Sequence, residues 1–264
     1  MNDMLVVNEI YLSIQGESTF AGLPCVFVRL SGCNLRCSYC DTAYAFTEGK
    51  KMSLGEIRAR IQELARPFGP RETPNAATAP APVEPGGASA TTQGGRLPLV
   101  ELTGGEPLLQ PNSIPLAGSL CDDGFTVLIE TSGALDIAPL DPRVRRIMDL
   151  KCPSSGEAER NRWENLPQLT GTDEIKFVIG TKEDYAWAKA QLTRFDLASI
   201  CPVLFSWVTP LQSHQQDKSL KKIPSGQTPI SRLELVERII TDALPVRFQL
   251  QMHKFIWPPD QRSV

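Results

Sequence analysis

Three cysteines stand within eight residues, spaced CxxxCxxC in the run Cys33-Asn-Leu-Arg-Cys37-Ser-Tyr-Cys40. Thiolates are the ligands of iron–sulfur clusters, and cysteines this close on one loop can each take a corner of a [4Fe–4S] cube. No fourth ligand follows at a suitable spacing, since His214 and His253 are remote in sequence. One iron is then left without a protein ligand and open to a chelating small molecule, an arrangement that suits chemistry better than electron storage. The alternative is zinc, whose structural sites are normally closed by four ligands in paired CxxC or Cys/His sets. The total of seven cysteines is odd, which fits metal or cluster binding better than a disulfide framework. Cys25, Cys121 and Cys201 lie in apolar contexts expected of buried thiols, and Cys152 has no assigned role.

Two further features carry chemical potential. Leu102-Thr103-Gly104-Gly105-Glu106-Pro107 ends an apolar run; its glycines allow a backbone to approach a ligand, and its carboxylate can pair with an ammonium. By itself such a run is more often a turn than a site. Arg29 shares one face of a predicted strand with Phe27. A buried guanidinium needs an anion, either a structural carboxylate or the carboxylate of a ligand.

Among the elements that must hold these groups, Pro24–Leu30 is a β-branched and aromatic run fit for a buried strand. Further strands are predicted at Leu97–Thr103, Phe125–Glu130, Arg146–Leu150, Glu174–Ile179, Pro202–Trp207 and Arg247–Met252. Helical patterns cover Ser53–Arg66, with Ser53 and Glu56 as a capping box, then Thr181–Phe195 and Ser231–Leu244. Strands alternating with helices imply an α/β fold with a mainly parallel sheet. Between the strands ending at Glu130 and starting at Arg146 no full helix fits, so a partial barrel with a reduced helix count is expected in place of a closed eight-fold one. Residues 67–96 hold six Pro and five Gly with only Phe68 and Val83 to bury, and read as a flexible loop inserted in a single domain spanning 1–264.

Composition excludes other classes. A formal charge of −3 with no extended Lys/Arg cluster gives no footprint for nucleic acid. Met1–Glu9 lacks the features of a signal peptide, and no apolar run approaches the roughly 20 residues of a spanning helix. A soluble, cytoplasmic protein without membrane partners is expected.

The cysteine motif, with Tyr39 before its last cysteine, resembles the signature of the radical S-adenosylmethionine (radical SAM) superfamily, and Gly104-Gly105-Glu106-Pro107 resembles that superfamily's GGEP motif. More of the chain resembles one family within it, the 7-carboxy-7-deazaguanine synthases. The matching blocks are Asn8–Glu17 (NEIYLSIQGE), Pro24–Cys33 (PCVFVRLSGC), Cys40-Asp41-Thr42 and Leu250–Trp257 (LQMHKFIW); residues 67–96 and 211–230 have no counterpart. The resemblance implies conversion of 6-carboxy-5,6,7,8-tetrahydropterin to 7-carboxy-7-deazaguanine with loss of ammonia, on the route to queuosine and related 7-deazapurines. It also implies a [4Fe–4S] cluster on Cys33, Cys37 and Cys40, with S-adenosylmethionine cleaved to a 5′-deoxyadenosyl radical and regenerated.

Residue roles follow from the same likeness. S-adenosylmethionine would meet Tyr39, Cys40, Asp41, Gly105, Glu106, Asp149, Leu150 and Lys151, with Glu130, Thr131 and Ser132 either near its ribose or simply capping a strand. Substrate would meet Ile14, Gln15, Gly16, Glu17, Arg29, Thr103 and His253, and Thr42 would bind Mg²⁺. The implied partners are an electron donor such as flavodoxin or ferredoxin and a second copy of the chain in a homodimer. Two alternatives share the cysteine spacing: a glycyl-radical-activating enzyme, and a non-catalytic iron–sulfur or zinc module.

Overall fold

The computed structural model describes residues 3–69, 96–258 and 261–264. Pro24–Leu30 forms a strand (β2) covered on both faces, as its composition predicts. Parallel pairing runs outward from it through Arg96–Gly104 (β4), Phe125–Thr131 (β5), Arg145–Asp149 (β6), Glu174–Ile179 (β7), Val203–Trp207 (β8) and Arg247–Gln249 (β9). On the other side of β2, Met4–Ile14 (β1) and Lys50–Ser53 (β3) add antiparallel. Among the described residues the order is β3-β1-β2-β4-β5-β6-β7-β8-β9, with the outer strands unpaired to each other. This is the expected α/β architecture: an incomplete barrel on a mainly parallel sheet.

Helices cover the outer face unevenly. Leu54–Ala65 (α1) begins at the predicted capping box, in which Ser53 and Glu56 satisfy each other's backbone N–H. Lys182–Arg194 (α3) starts with reciprocal bonds between Thr181 and Asp184, and Arg232–Thr241 (α5) is capped by Ser231. Ser113–Asp122 (α2), between β4 and β5, has no counterpart among the sequence predictions. Pro115 and Gly118 dilute its periodicity, yet Leu116, Ala117 and Leu120 are buried. Leu197–Ile200 (α4) is a single turn, and His253–Ile256 (α6) begins just past the end predicted for the last strand, which stops three residues earlier at Gln249. No helix joins β5 to β6, as expected. Among the described residues no helix is long and apolar enough to cross a membrane. The loop expected over 67–96 falls mostly on residues 70–95, outside the described residues.

Strand parity separates two environments. Val26, Val28, Leu30, Val100, Leu102, Val127, Ile129, Phe177 and Phe205 pack toward the helices in one continuous core. The alternate positions Cys25, Phe27, Leu99, Leu128 and Ile147 form a smaller apolar cluster on the inner side, together with Phe20 and Tyr11. Continuing along that inner side toward the C-terminal strand ends, the same parity presents Arg29, Glu101, Thr103, Glu130, Asp149 and Lys176. In β1 the parity switches: Leu5 and Val7 face the helical core, then Ile10 and Leu12, across a register shift between Val7 and Glu9. The bulge delivers Glu9 and Tyr11 to the inner side opposite Arg29.

Gly104 closes β4 at φ +142°, and a Cβ there would lie 2.1 Å from the Leu30 carbonyl oxygen. Gly22 has φ +92° with open space around it. Gly104→Ala is therefore expected to cost several kcal/mol, roughly the 1–2 kcal/mol of a left-handed alanine plus a backbone displacement, whereas Gly22→Ala costs only about 1–2 kcal/mol. Urea denaturation of the two variants checks the contrast.

Candidate active site

All the parallel strands point their C-terminal ends to one rim, and the loops there carry the chemistry. The cysteine loop leaves β2 and is clamped to the end of β4: Gly105 N–H donates to the Leu30 carbonyl at 3.1 Å, and Glu106 N–H to the Gly32 carbonyl at 2.9 Å. A Cβ on Gly105 would stand 2.1 Å from the Gly32 oxygen and 2.8 Å from the Cys33 Cβ. The far side of the loop is fixed by Glu157, which accepts from Arg36 N–H at 2.7 Å and from Lys221 Nζ at 2.8 Å. Lys221 N–H also donates to the Arg36 carbonyl at 2.8 Å. The stretch 211–230 is thus a strap reaching from the β8 side back to the cysteine loop.

The thiols of Cys33, Cys37 and Cys40 are all free. Burial pushes each above the ordinary thiol range, Cys37 to about 12, and nearby Lys151 opposes this at Cys37. Thiols so placed become thiolates only on meeting a strongly cationic partner, as iron–sulfur ligands do. Among the described residues no three His, Cys, Asp or Glu side chains close into a single-ion cage. Thiolates that each take a different corner of a cubane stand farther apart than ligands sharing one ion. Buried polar atoms are normally paired, yet the Asn34 amide, the Tyr39 hydroxyl and Asp149 Oδ1 have no partner. Tyr39 and Asp149 line a cavity of about 170 Å³ together with the three cysteines, Gly104, Gly105 and Lys151. The donor set and these orphaned groups fit a cluster with a polar chelating ligand beside it.

A larger cavity of about 520 Å³ opens next to it, walled by Tyr11, Ile14, Gln15, Gly16, Arg29, Glu101 and His253. Glu17, Asp41, Thr103, Glu130, Gln251 and Lys254 line both cavities, so the two meet. Their common floor is an ionic network. Lys176 Nζ donates to Glu17 at 3.0 Å and to Glu130, and Thr103 Oγ1 donates to Glu130 at 3.3 Å. Asp41 pairs with Lys254; burial would raise its carboxyl, but the ammonium prevails and holds it at about 2. The His253 ring packs against Gly16, where a Cβ would come within 2.8 Å of Nδ1, and burial lowers its proton affinity.

Several positions differ from expectation. Glu106 does not face either cavity. It is fully buried and accepts from Thr131 Oγ1 and Ser132 N–H, both at 2.8 Å, from Ser132 Oγ, and from Leu108 N–H at 3.1 Å. Its carboxylate ties β4 to β5 and has no capacity left for an ammonium; Thr131 and Ser132 are engaged by it. Gly105 meets the cysteine loop itself. The Leu150 side chain lies in the helical core, and its N–H bonds the Lys176 carbonyl. The Gln15 carboxamide, expected to read a ligand edge, donates to Glu101 and accepts from Glu17 N–H at 3.0 Å. Arg29 has found a carboxylate of its own, Glu9 at 2.7 Å, and bonds the Tyr11 hydroxyl at 3.0 Å. Thr42 Oγ1 stands 3.7 Å from Cys40 Sγ. Cys121 is only half-buried. Sequence reasoning missed Glu101, Lys176, Gln251 and Lys254; for the first two the available signal was a charge breaking an otherwise apolar strand, as in Val-Glu101-Leu and Ile-Lys176-Phe.

An unclosed, mainly parallel barrel with a three-cysteine loop at its rim defines the radical SAM architecture. The chain resembles the crystal structure of QueE from Escherichia coli at a TM-score of 0.61 and 21% identity, covering 95% of each chain. It also resembles Streptococcus suis SuiB bound to S-adenosylmethionine at a TM-score of 0.51, covering 83% of this chain and 48% of that one. No family model matches. The chain is 40% identical to the 7-carboxy-7-deazaguanine synthase of Koribacter versatilis, over 98% of its own length and 99% of the relative's. It is 37% identical to that of Chlorobaculum tepidum, over 98% and 97%. The chain belongs to the 7-carboxy-7-deazaguanine synthase family. Membership removes the two alternatives left open by the cysteine spacing.

Glu106→Gln turns an amide N–H₂ toward donors that a carboxylate had accepted. The expected cost is about 2–3 kcal/mol of folding stability, read by urea denaturation, because a charge-assisted set is replaced by an unsatisfied one.

Proposed function

We propose that this protein converts 6-carboxy-5,6,7,8-tetrahydropterin to 7-carboxy-7-deazaguanine with loss of ammonia, as a radical SAM carbon–nitrogen lyase of 7-deazapurine and queuosine biosynthesis. The observation that carries the reading is the junction of the two cavities. A site lined by thiols opens, through Glu17, Thr103 and Glu130, into a second one large enough for a bicyclic substrate. Cys33, Cys37 and Cys40 would hold a [4Fe–4S] cluster, which with S-adenosylmethionine would supply the radical chemistry that the reaction requires.

The chain's own residues bind, orient and shield. Tyr39, Asp149 and Lys151 flank the cofactor's polar end, the orphaned Asp149 oxygen being suited to an ammonium. Arg29 takes the substrate carboxylate with guanidinium hydrogens that Glu9 and Tyr11 leave free. Ile14, Gly16 and His253 form one wall around the pterin, Thr103 another, and Thr42 offers a hydroxyl to Mg²⁺, which needs few protein ligands when substrate and water complete its shell. In this role the protein acts as one cytoplasmic domain, in a homodimer, and is reduced by a flavodoxin or ferredoxin.

Anaerobic incubation of reduced, cluster-loaded protein with S-adenosylmethionine and 6-carboxytetrahydropterin should release ammonia and build deazapurine absorbance; their absence would sink the proposal. Cys37→Ala should lose the cluster absorbance and all cleavage to 5′-deoxyadenosine. Arg29→Ala should keep the cluster yet weaken substrate binding by roughly tenfold to a hundredfold, the scale of a charge-assisted pair, in an equilibrium titration.

A further inference from the structure

We propose that Glu101 touches the substrate as an un-ionised carboxylic acid, donating a hydrogen bond from Oε1 to an acceptor atom of the bound molecule, a ring nitrogen or a carbonyl oxygen. The proposal rests on the reading of the larger cavity as the pterin site. Glu101 lies mid-strand in β4 with its side chain inward, 3% exposed, in the wall of that cavity. Oε2 accepts from the Gln15 carboxamide. Oε1 has no protein donor among the described residues, yet it is not sealed within the protein, and it opens on the cavity.

Charge balance then sets its state. Three carboxyls, Glu17, Glu101 and Glu130, share one ammonium, and Lys176 bonds Glu17 and Glu130. The Tyr11 hydroxyl on β1 and the Cys25 thiol on β2, both held un-ionised by burial, also lie beside Glu101, and Arg29, one pleat farther along β2, is committed to Glu9 and Tyr11. No second cation is supplied to Glu101 by these neighbours. Burial first, and the Glu130 charge second, push the Glu101 carboxyl far above the usual range. With Gln15 donating to Oε2, the proton resides on Oε1, where it becomes a donor aimed into the site. A carboxyl kept neutral in this way is a recognised device for hydrogen-bonding a substrate oxygen or nitrogen. It complements the acceptors around it: the anionic oxygens of Glu17 and Glu130 receive substrate N–H groups, and Glu101 answers a lone pair.

The test uses the cluster-loaded full chain. Infrared difference spectra between wild type and Glu101→Gln at neutral pH should contain an un-ionised carboxyl stretch that vanishes in the variant and shifts when 6-carboxytetrahydropterin is added. Equilibrium titration with the same pterin should show Glu101→Leu binding about tenfold more weakly, with Glu101→Gln, which keeps an N–H donor, between the two. Raising pH ionises Glu101 and removes the donor, so wild-type affinity should fall with rising pH and Glu101→Gln affinity should not follow it. Absence of the carboxyl band, or a wild-type pH dependence shared unchanged by Glu101→Gln, would overturn the assignment. The spectrum of the protein alone needs no substrate, so failure there counts against Glu101, whereas a band with no product from wild type counts against the lyase reading. Should Glu101→Leu not fold, the spectrum and the pH comparison with Glu101→Gln still decide.

Discussion

A charged side chain on the inner side of a buried strand has no water to turn to and must meet a partner from another segment. Lys176 on β7 draws in Glu17 from the turn after β1 and Glu130 from β5, joining positions up to 159 residues apart. Arg29 on β2 draws in Glu9 and Tyr11 from β1. Because Lys176 and Arg29 have their partners on other segments, the inner side holds its shape without the helical layer that packs the outer one. The two cavities are the spaces left between these pairs.

The rim is fastened by a different means. Gly104 and Gly105 let β4 press its backbone onto the chain from Leu30 to Cys33, and Glu106 then bonds sideways to Thr131 and Ser132 on β5. A four-residue motif thereby spans three consecutive parallel strands and fixes the height at which the cysteine loop begins. Its glycines are required by contact between backbones, and its carboxylate by contact between strands.

What the sequence made legible was mostly local. The spacing of Cys33, Cys37 and Cys40, the run Pro24–Leu30 and the cap at Ser53 each declare themselves within a few residues, and the structure forms the strand and the cap there. The short connection between β5 and β6, rich in Pro and Asp, announced its missing helix. Other partnerships depend on global geometry: Glu106 meets its partners only once β5 is placed beside it, and Gln15 only once Glu101 is. β1 escaped because a bulge near Asn8 breaks its alternation, and α2 because Pro115 and Gly118 interrupt a ten-residue helix. Glu101 and Lys176 were visible only as charges inside apolar runs, a signal that gains meaning once strand parity is known.

Glu157, itself 5% exposed, gives one oxygen to the Arg36 amide and the other to the Lys221 ammonium. A single carboxylate thus serves two segments that are distant in sequence and would otherwise fray independently. Detaching the strap strands half of a buried anion, and the loop loses the counterweight that keeps its own anchor in place. The two segments therefore behave as one cooperative unit in local opening, so that the strap inherits, and in turn sustains, the rigidity of the ligand loop.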